Sequence, residues 1–121
     1  MARRTFARTA GRKGSAWRAC QQAVRERDGD ICVWCGHPGS GDTNHNLGLA
    51  AARELGLAND PQHCSPIHGS QSGCPVCPPV YSRNTKRWVR RNCNGEVGSR
   101  PLAVALAQRG QHTQRHGDRQ W

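Results

Sequence analysis

The residues with the clearest chemical potential are cysteines arranged in two pairs with metal-ligand spacing. Each pair has the form C-x2-C, and the four residues are Cys32, Cys35, Cys74 and Cys77. Two thiolates on a tight turn form half of a tetrahedral zinc site, and two such turns complete it. The sequence therefore predicts one structural Zn²⁺ bound by these four residues. Cys93 is an alternative ligand, and His68 is a further one.

The remaining cysteines and the redox setting favour zinc over disulfides. The chain has seven cysteines, and an odd number argues against a fully paired disulfide framework. The basic N-terminal stretch lacks the apolar segment of a signal peptide, so we expect a cytoplasmic protein of a bacterium or of a phage-infected host cell. Paired C-x2-C motifs in that compartment favour metal binding. Cys20 and Cys64 are expected to be small buried residues.

The composition explains why the chain would need a metal. It has 121 residues and a mass of 13.3 kDa, with 35% hydrophobic residues and a mean hydropathy of −0.83. A short chain with few apolar residues forms a limited core and usually requires a staple such as a metal ion. No apolar run reaches the roughly 20 residues of a membrane-spanning helix, so no membrane partner is expected.

The charge distribution indicates a polyanionic partner. The formal net charge is +10, and it is divided unevenly along the chain. Residues 1–30 carry a net charge of +5 and residues 83–121 carry +7, whereas residues 31–82 carry −2. Two basic flanks suit a phosphate backbone, and a less positive centre leaves room for a bound cation. The sequence therefore predicts a nucleic-acid partner.

Periodicity and turn residues predict short elements around the cysteines. A helix is expected from Ser15, which can cap it, to about Asp28, with Trp17, Cys20 and Val24 on one face. Further expected elements are a strand at 43–45, helices at 46–56, 82–94 and 101–108, and an irregular segment or short strand at 57–73. We expect a disordered basic arm over 1–14, one domain over 15–110 and a flexible tail over 111–121.

The order of several short motifs resembles that of the HNH endonuclease family, in particular its small zinc-stapled members in bacteria and phages. The matching pieces are Trp17-Arg18, CVWCG, TNH, NDPQHCSPIHG and CNGEVGSR, and they span roughly residues 15–100. The resemblance implies a small, irregular α+β fold. Its centre would be a ββα-metal (treble-clef-like) core stapled by zinc, with flanking helices.

The resemblance also implies an activity, that of a metal-dependent DNA endonuclease that hydrolyses phosphodiester bonds. His45 would be the general base that takes a proton from water, and His63 would stand where the family orients that base. Asn94 would bind a catalytic cation, Mg²⁺ or another divalent ion, together with Asn44. Arg100 would contact phosphate.

We expect DNA contacts to be made mainly to the backbone, by a basic run after the second cysteine pair. Its residues are Arg83, Lys86, Arg87, Arg90 and Arg91. Trp88, in the same run, is expected to pack either in the core or against a sugar. In phages the family's small members often serve DNA packaging, so a partner in the packaging machinery belongs to the same expectation.

Two departures from the family pattern define the alternatives. Asn44 stands where the family carries an acidic cation ligand, and this matters because hard cations favour carboxylates. His63 stands where the family carries Asn. A second hypothesis is therefore a non-catalytic, zinc-stapled nucleic-acid-binding protein, either a degenerate nuclease or a packaging accessory factor. A third is a zinc-ribbon component of a larger assembly, such as a ribosomal or transcription accessory protein.

Overall fold

Helix α1 (Ser15–Asp28) buries one apolar face against the rest of the chain. The structure is a computed structural model, and it describes residues 10–71 and 73–109. The buried side chains of α1 are Trp17, Cys20 and Val24, so the expected apolar face is confirmed. The expected cap is wrong, because Ser15 is already helical and no side chain bonds to the N-terminal N–H groups of the helix.

A two-stranded antiparallel sheet crosses the centre of the fold. Strand β1 (Asp42–His45) pairs with strand β2 (Cys64–Ile67), and His45 lies opposite Cys64. Every residue of β2 is buried. Cys64 packs with the α1 side chains, whereas Ile67 packs in a second cluster, so β2 joins the two apolar regions.

The connection between these strands contains two short elements. Helix α2 (Leu49–Glu54) begins three residues later than the predicted helix, after Gly48. A single 3₁₀ turn (Pro61–His63) leads into β2, and the Asp60 side chain caps it by accepting from Gln62 N. The segment expected to be irregular or a short strand thus contains both a turn and a strand.

The larger apolar cluster lies between the first cysteine turn and the C-terminal helices. Helix α3 (Cys93–Val97) and helix α4 (residues 102–109) pack against it. Its buried members are Cys32, Trp34, Ile67, Cys93, Val97, Leu102 and Ala105. Helix α4 starts one residue after the predicted Pro101 and is held to the end of β1 by a 2.8 Å bond from Leu102 N to Asn46 O. Cys32 and Cys93, two of the cysteines considered as metal ligands, are therefore part of the core.

The basic segment expected to be helical over 82–94 instead contributes residues 82–89 to a hairpin, so that prediction is wrong except at Cys93 and Asn94, where α3 begins. Strand β3 (Val80–Ser82) pairs with strand β4 (Arg87–Val89). The cross-strand pairs Val80–Val89 and Tyr81–Trp88 are β-branched and aromatic, residue types that favour strands over helices. The two aromatic rings meet edge to face, with centroids 5.5 Å apart. Cross-strand pairing outweighs the helical spacing of the basic residues.

The small α+β fold is confirmed in outline. Residues 1–9 of the predicted arm and residues 110–121, which include the predicted tail, lie outside the described residues. Ala10 and Gly11 belong to the fold, because Arg53 Nε donates to Ala10 O at 3.0 Å and Gly11 N donates to Asn59 Oδ1 at 2.8 Å. Among the helices of the described segments, none combines the length and apolarity required to cross a membrane.

Substitution of Ile67 by alanine tests how much the packing of β2 in the larger cluster contributes to stability. Ile67 is completely buried, so Ile67→Ala removes packed methylene groups and should lower the free energy of unfolding by about 2–5 kcal/mol. Ile31, which is 46% exposed, provides a matched control, since Ile31→Ala should cost less than about 0.5 kcal/mol. Urea unfolding in zinc-containing buffer measures both. Equal losses would contradict the assignment of Ile67 to the core.

Candidate functional site

Four side chains from three parts of the chain converge on a first ligand group. The group consists of Cys32, Cys35, His68 and Cys93, whose ligand atoms all lie within 4.8 Å of one another. The two thiols come from a tight turn closed by a 2.9 Å bond from Gly36 N to Cys32 O. His68 directly follows β2, and Cys93 is the first residue of α3. The group thus connects the first turn, the central sheet and the helix.

The His68 ring is oriented as a metal ligand would be. Its Nε2 lies 3.0 Å from Pro38 O, and since a carbonyl only accepts, Nε2 must carry the proton. The unprotonated Nδ1 then points at the sulfur atoms of Cys35, at 3.4 Å, and Cys93, at 3.8 Å. A carbonyl that fixes the tautomer of a histidine is a typical partner of a ligated imidazole.

A second ligand group contains the other cysteine pair. It consists of Cys35, His37, Cys74 and Cys77, again with all ligand atoms within 4.8 Å. His37 Nδ1 lies 3.5 Å from Cys74 Sγ and 3.2 Å from Cys77 Sγ. Cys35 Sγ lies 3.7 Å from Cys74 Sγ. Cys35 therefore belongs to both groups.

The sulfur atoms accept hydrogen bonds of the kind that stabilise thiolates. Trp34 N donates to Cys32 Sγ, and the N–H groups of Val76 and Cys77 donate to Cys74 Sγ at 3.4 and 3.2 Å. Although burial raises it, these two bonds, together with hydrogen bonds from the Cys77 and Cys35 side chains, lower the pKa of Cys74 to about 6. The pKa of Cys35 is raised to about 12, chiefly by burial and against a backbone hydrogen bond that lowers it.

Both groups fit a structural metal such as zinc. Structural Zn²⁺ takes four thiolate or imidazole ligands in a tetrahedron, which is the donor set and number present in each group. The predicted quartet of two cysteine pairs is not one group in the structure, because its members are divided between the two. The alternative ligands His68 and Cys93 both take part in the first group.

His37 is the member of the second group that the sequence prediction missed. It lies two residues after Cys35, on the same turn, and its short spacing from a C-x2-C pair was the available signal. The ring is brought to the second group because Cys32 N donates to His37 O at 2.9 Å, which folds the turn back on itself.

A polar network connects the second group to α3. The Arg91 guanidinium donates to both carboxylate oxygens of Glu96 at 2.7 Å and to Cys77 Sγ at 3.5 Å. Glu96 also accepts from Trp34 Nε1 at 3.0 Å. Hydrogen bonding to Glu96 raises the pKa of Arg91 above its ordinary value. Arg91, predicted to contact DNA, is thus engaged by Glu96 and Cys77 within the protein.

The His45 ring, predicted to be the general base, is held from three sides. It stacks on Trp17 with centroids 4.9 Å apart and an interplanar angle of 17°. Its Nε2 lies 3.0 Å from Ala58 O, so Nε2 carries the proton and Nδ1 is the unprotonated nitrogen. A Cβ at Gly11 would lie 2.5 Å from Nε2, so only glycine allows this close approach. Burial lowers the pKa of His45, which keeps the ring neutral at neutral pH.

The other predicted catalytic residues lie on separate elements. Asn44 is buried on β1 and donates through Nδ2 to Asn46 Oδ1 at 3.2 Å. Asn94 lies on α3, and its N–H donates to His68 O at 2.9 Å. The backbone carbonyl of His63 accepts a hydrogen bond from Asn46 N at 2.8 Å, which places His63 beside the end of β1. The group that orients His45 is the Ala58 carbonyl, a backbone atom that residue types alone do not reveal.

The predicted DNA-contacting residues divide into two sets. Arg83, Lys86, Arg87 and Arg90 are exposed, in or beside the hairpin of β3 and β4. Arg100, like Arg91, is used internally: its guanidinium donates to Val97 O at 3.1 Å, to Glu96 O at 2.6 Å and to the Gln108 side chain. These bonds satisfy carbonyls at the end of α3. Trp88 is 69% exposed, so it does not pack in the core.

No protein-family model, curated protein or solved structure matches the chain. The contacts of the described residues, together with the chemistry of the motifs, therefore carry the functional conclusion.

The pH dependence of stability tests the environment of His45. Its pKa is lowered below 6.5 in the folded protein, so the unfolded chain binds the extra proton first as the pH falls. The stability contributed by the neutral ring is therefore complete above about pH 6.5 and is lost as the pH falls toward the folded pKa. The difference in Tm between wild type and His45→Gln should shrink between pH 7.5 and 5.5.

Both proteins contain the same cysteine and histidine ligand groups, so titration of those groups cancels in the difference between them. A Tm difference that stays constant over this range would contradict the burial of a neutral His45.

Proposed function

We propose that this chain is a metal-stapled endonuclease of HNH type, which hydrolyses phosphodiester bonds in DNA with His45 as general base. The single observation that carries the proposal is the state of the His45 ring. It ends strand β1 with Nε2 bonded to the Ala58 carbonyl, and this leaves the lone pair on Nδ1. A lowered pKa keeps the base unprotonated at neutral pH.

The order of elements around His45 supports the same proposal. β1 and β2 form the antiparallel pair, and α3 follows in the chain and is bonded to the end of β2 through Asn94 N and His68 O. This is the order expected of a ββα-metal core, with the base at the end of one strand and a ligand on the helix. The first ligand group would fix the helix against the sheet.

The residues available for a catalytic cation are oxygen donors. The side-chain bond from Asn44 to Asn46 uses the Nδ2 atom of Asn44, and the Oδ1 atom of Asn44 takes no part in that bond. Asn94 offers a second amide oxygen from α3. Oxygen ligands suit Mg²⁺ or another hard divalent cation, although neutral amides bind it less strongly than carboxylates. Such an ion, when bound, would supply the positive charge that stabilises a phosphoryl oxygen.

The exposed side of the hairpin supports DNA as the substrate. Arg83, Lys86 and Arg87 are exposed there, beside Trp88, whose ring is also exposed. Cations that follow the phosphate backbone hold nucleic acid without reading its sequence, and an exposed aromatic ring can stack on an unpaired base. Backbone contacts with weak sequence preference are therefore expected.

A non-catalytic DNA-binding protein is the second candidate, and the enclosure of His45 favours it. The ring is covered by Trp17 on one face and approached by Gly11 at Nε2. In the described segments 10–71 and 73–109, no group of three or more histidine, cysteine or acidic ligands includes His45. A chain that had lost its acidic cation ligand at position 44 could keep the fold and the DNA-binding surface without cleavage.

Plasmid nicking distinguishes the two candidates. Wild type should nick supercoiled plasmid with Mg²⁺, Mn²⁺ or Ni²⁺, and His45→Gln should lower the rate by about 10²–10⁴-fold because the proton acceptor is lost. Gln62→Ala, at an exposed neighbouring position, should leave the rate unchanged. Equal rates for wild type and His45→Gln would refute the role of His45. Absence of cleavage under all three ions, with DNA binding retained, would favour the second candidate.

The salt dependence of DNA binding tests the hairpin under either candidate. Changing Arg83, Lys86 and Arg87 together to glutamine should weaken binding and reduce the slope of log K against log salt by about 1 per lost phosphate contact. The variant Arg83→Lys with Arg87→Lys keeps the charge and should keep the slope. An unchanged slope in the glutamine variant would place the DNA on another surface.

A further inference from the structure

We propose that the chain binds two zinc ions in one binuclear centre, in which the Cys35 thiolate bridges the metals. One ion would be held by Cys32, His68, Cys93 and Cys35. The other would be held by His37, Cys74, Cys77 and the same Cys35 sulfur. The proposal goes beyond the nuclease function and does not depend on it.

The distances between ligand atoms fit two adjoining tetrahedra. Zn–S bonds of about 2.3 Å and Zn–N bonds of about 2.0–2.1 Å at the tetrahedral angle require S···S separations of about 3.8 Å and S···N separations of about 3.6 Å. Cys35 Sγ lies 3.7 Å from Cys74 Sγ and 3.4 Å from His68 Nδ1, so it satisfies both sets at once. The separations from His37 Nδ1 to Cys74 and Cys77, 3.5 and 3.2 Å, lie within about 0.4 Å of the S···N value.

The number of ligands requires that one be shared. Each group has three ligands of its own, and a structural zinc site has four. Among the described residues, Cys35 alone is common to both groups, and a thiolate sulfur has lone pairs enough for two metals. A single ion would leave either two thiols and His37, or two thiols and the buried His68, grouped together without a metal.

The hydrogen-bond donors around the centre agree with this stoichiometry. Two Zn²⁺ ions and five thiolates leave one negative charge, which donors to the sulfur atoms stabilise. The Arg91 guanidinium donates to Cys77 Sγ at 3.5 Å, and backbone N–H groups donate to the sulfurs of Cys32 and Cys74. Donors around bound sulfur are the second shell that such a centre needs.

The second ion would connect a different part of the chain from the first. The first group joins the sheet to α3, whereas Cys74 and Cys77 immediately precede the exposed hairpin. The return strand is held by an isolated bridge between Cys74 and Arg91 and by the Arg91–Glu96 ion pair. Binding of the second ion would therefore attach the hairpin to the turn that carries Cys35 and His37.

Metal content measured by native mass spectrometry tests the stoichiometry. Full-length wild type purified in zinc should carry two ions per chain. His37→Ala and His68→Ala each remove a ligand of one group alone, so each should retain one tightly bound ion. His63→Ala, outside both groups, should retain two. A wild type that carries one ion under zinc saturation would overturn the proposal.

Cadmium substitution tests the bridge itself. Wild type loaded with an NMR-active cadmium isotope should show two cadmium resonances that are scalar-coupled to each other, since a shared sulfur connects the metals through two bonds. His37→Ala should show a single resonance without that coupling, and this variant changes only a half-buried ligand at the edge of the centre. Two resonances without mutual coupling would overturn the bridge. Neither experiment depends on DNA cleavage, so its failure is distinct from failure of the nuclease proposal.

Discussion

The convergence of two ligand groups on the Cys35 sulfur is the constraint on which the rest of the structure depends. The chain is short of apolar residues, and its larger apolar cluster contains Cys32 and Cys93, which also belong to the first ligand group. Core and ligand groups therefore occupy the same region of the molecule. A metal bound there would add to the free energy of folding, since metal binding and folding are coupled in such small domains.

The predicted catalytic residues depend on different parts of this arrangement. His45 is positioned by the α1 cluster, because it stacks on Trp17 and lies opposite Cys64, which packs in the same cluster. Asn94 is positioned by the first ligand group, because its neighbour Cys93 belongs to that group and its N–H bonds to the carbonyl of His68. β2 is buried along its whole length and connects the two regions. The relative placement of His45 and α3 therefore relies on β2, which connects the two regions.

Sequence patterns predicted which residue types form the ligand groups better than they predicted which residues belong to each group. The spacing of the cysteine pairs indicates candidate metal ligands, because a tight turn holds its two thiols close enough to bind one metal. It does not decide which pairs meet, because the 38 residues between Cys35 and Cys74 leave that choice to the tertiary fold. The helix of α1 was predictable from its periodic apolar face. The β3–β4 hairpin was not, because the pairing of Tyr81 with Trp88 is a contact between residues seven positions apart that periodicity does not reveal.

Arginine side chains in the basic region differ in exposure, and tertiary contacts that the sequence pattern does not show cause the difference. Arg87 and Arg91 are four residues apart, yet Arg87 is exposed while Arg91 bonds to Glu96 and Cys77. The difference arises because the chain returns to the second ligand group between them, through the bridge of Arg91 with Cys74. Trp88 lies on the outer side of that return and remains 69% exposed in a chain that has few large apolar residues for its core. Exposing a large ring there costs hydrophobic stabilisation, and a nucleic-acid partner that stacks on the ring would recover it.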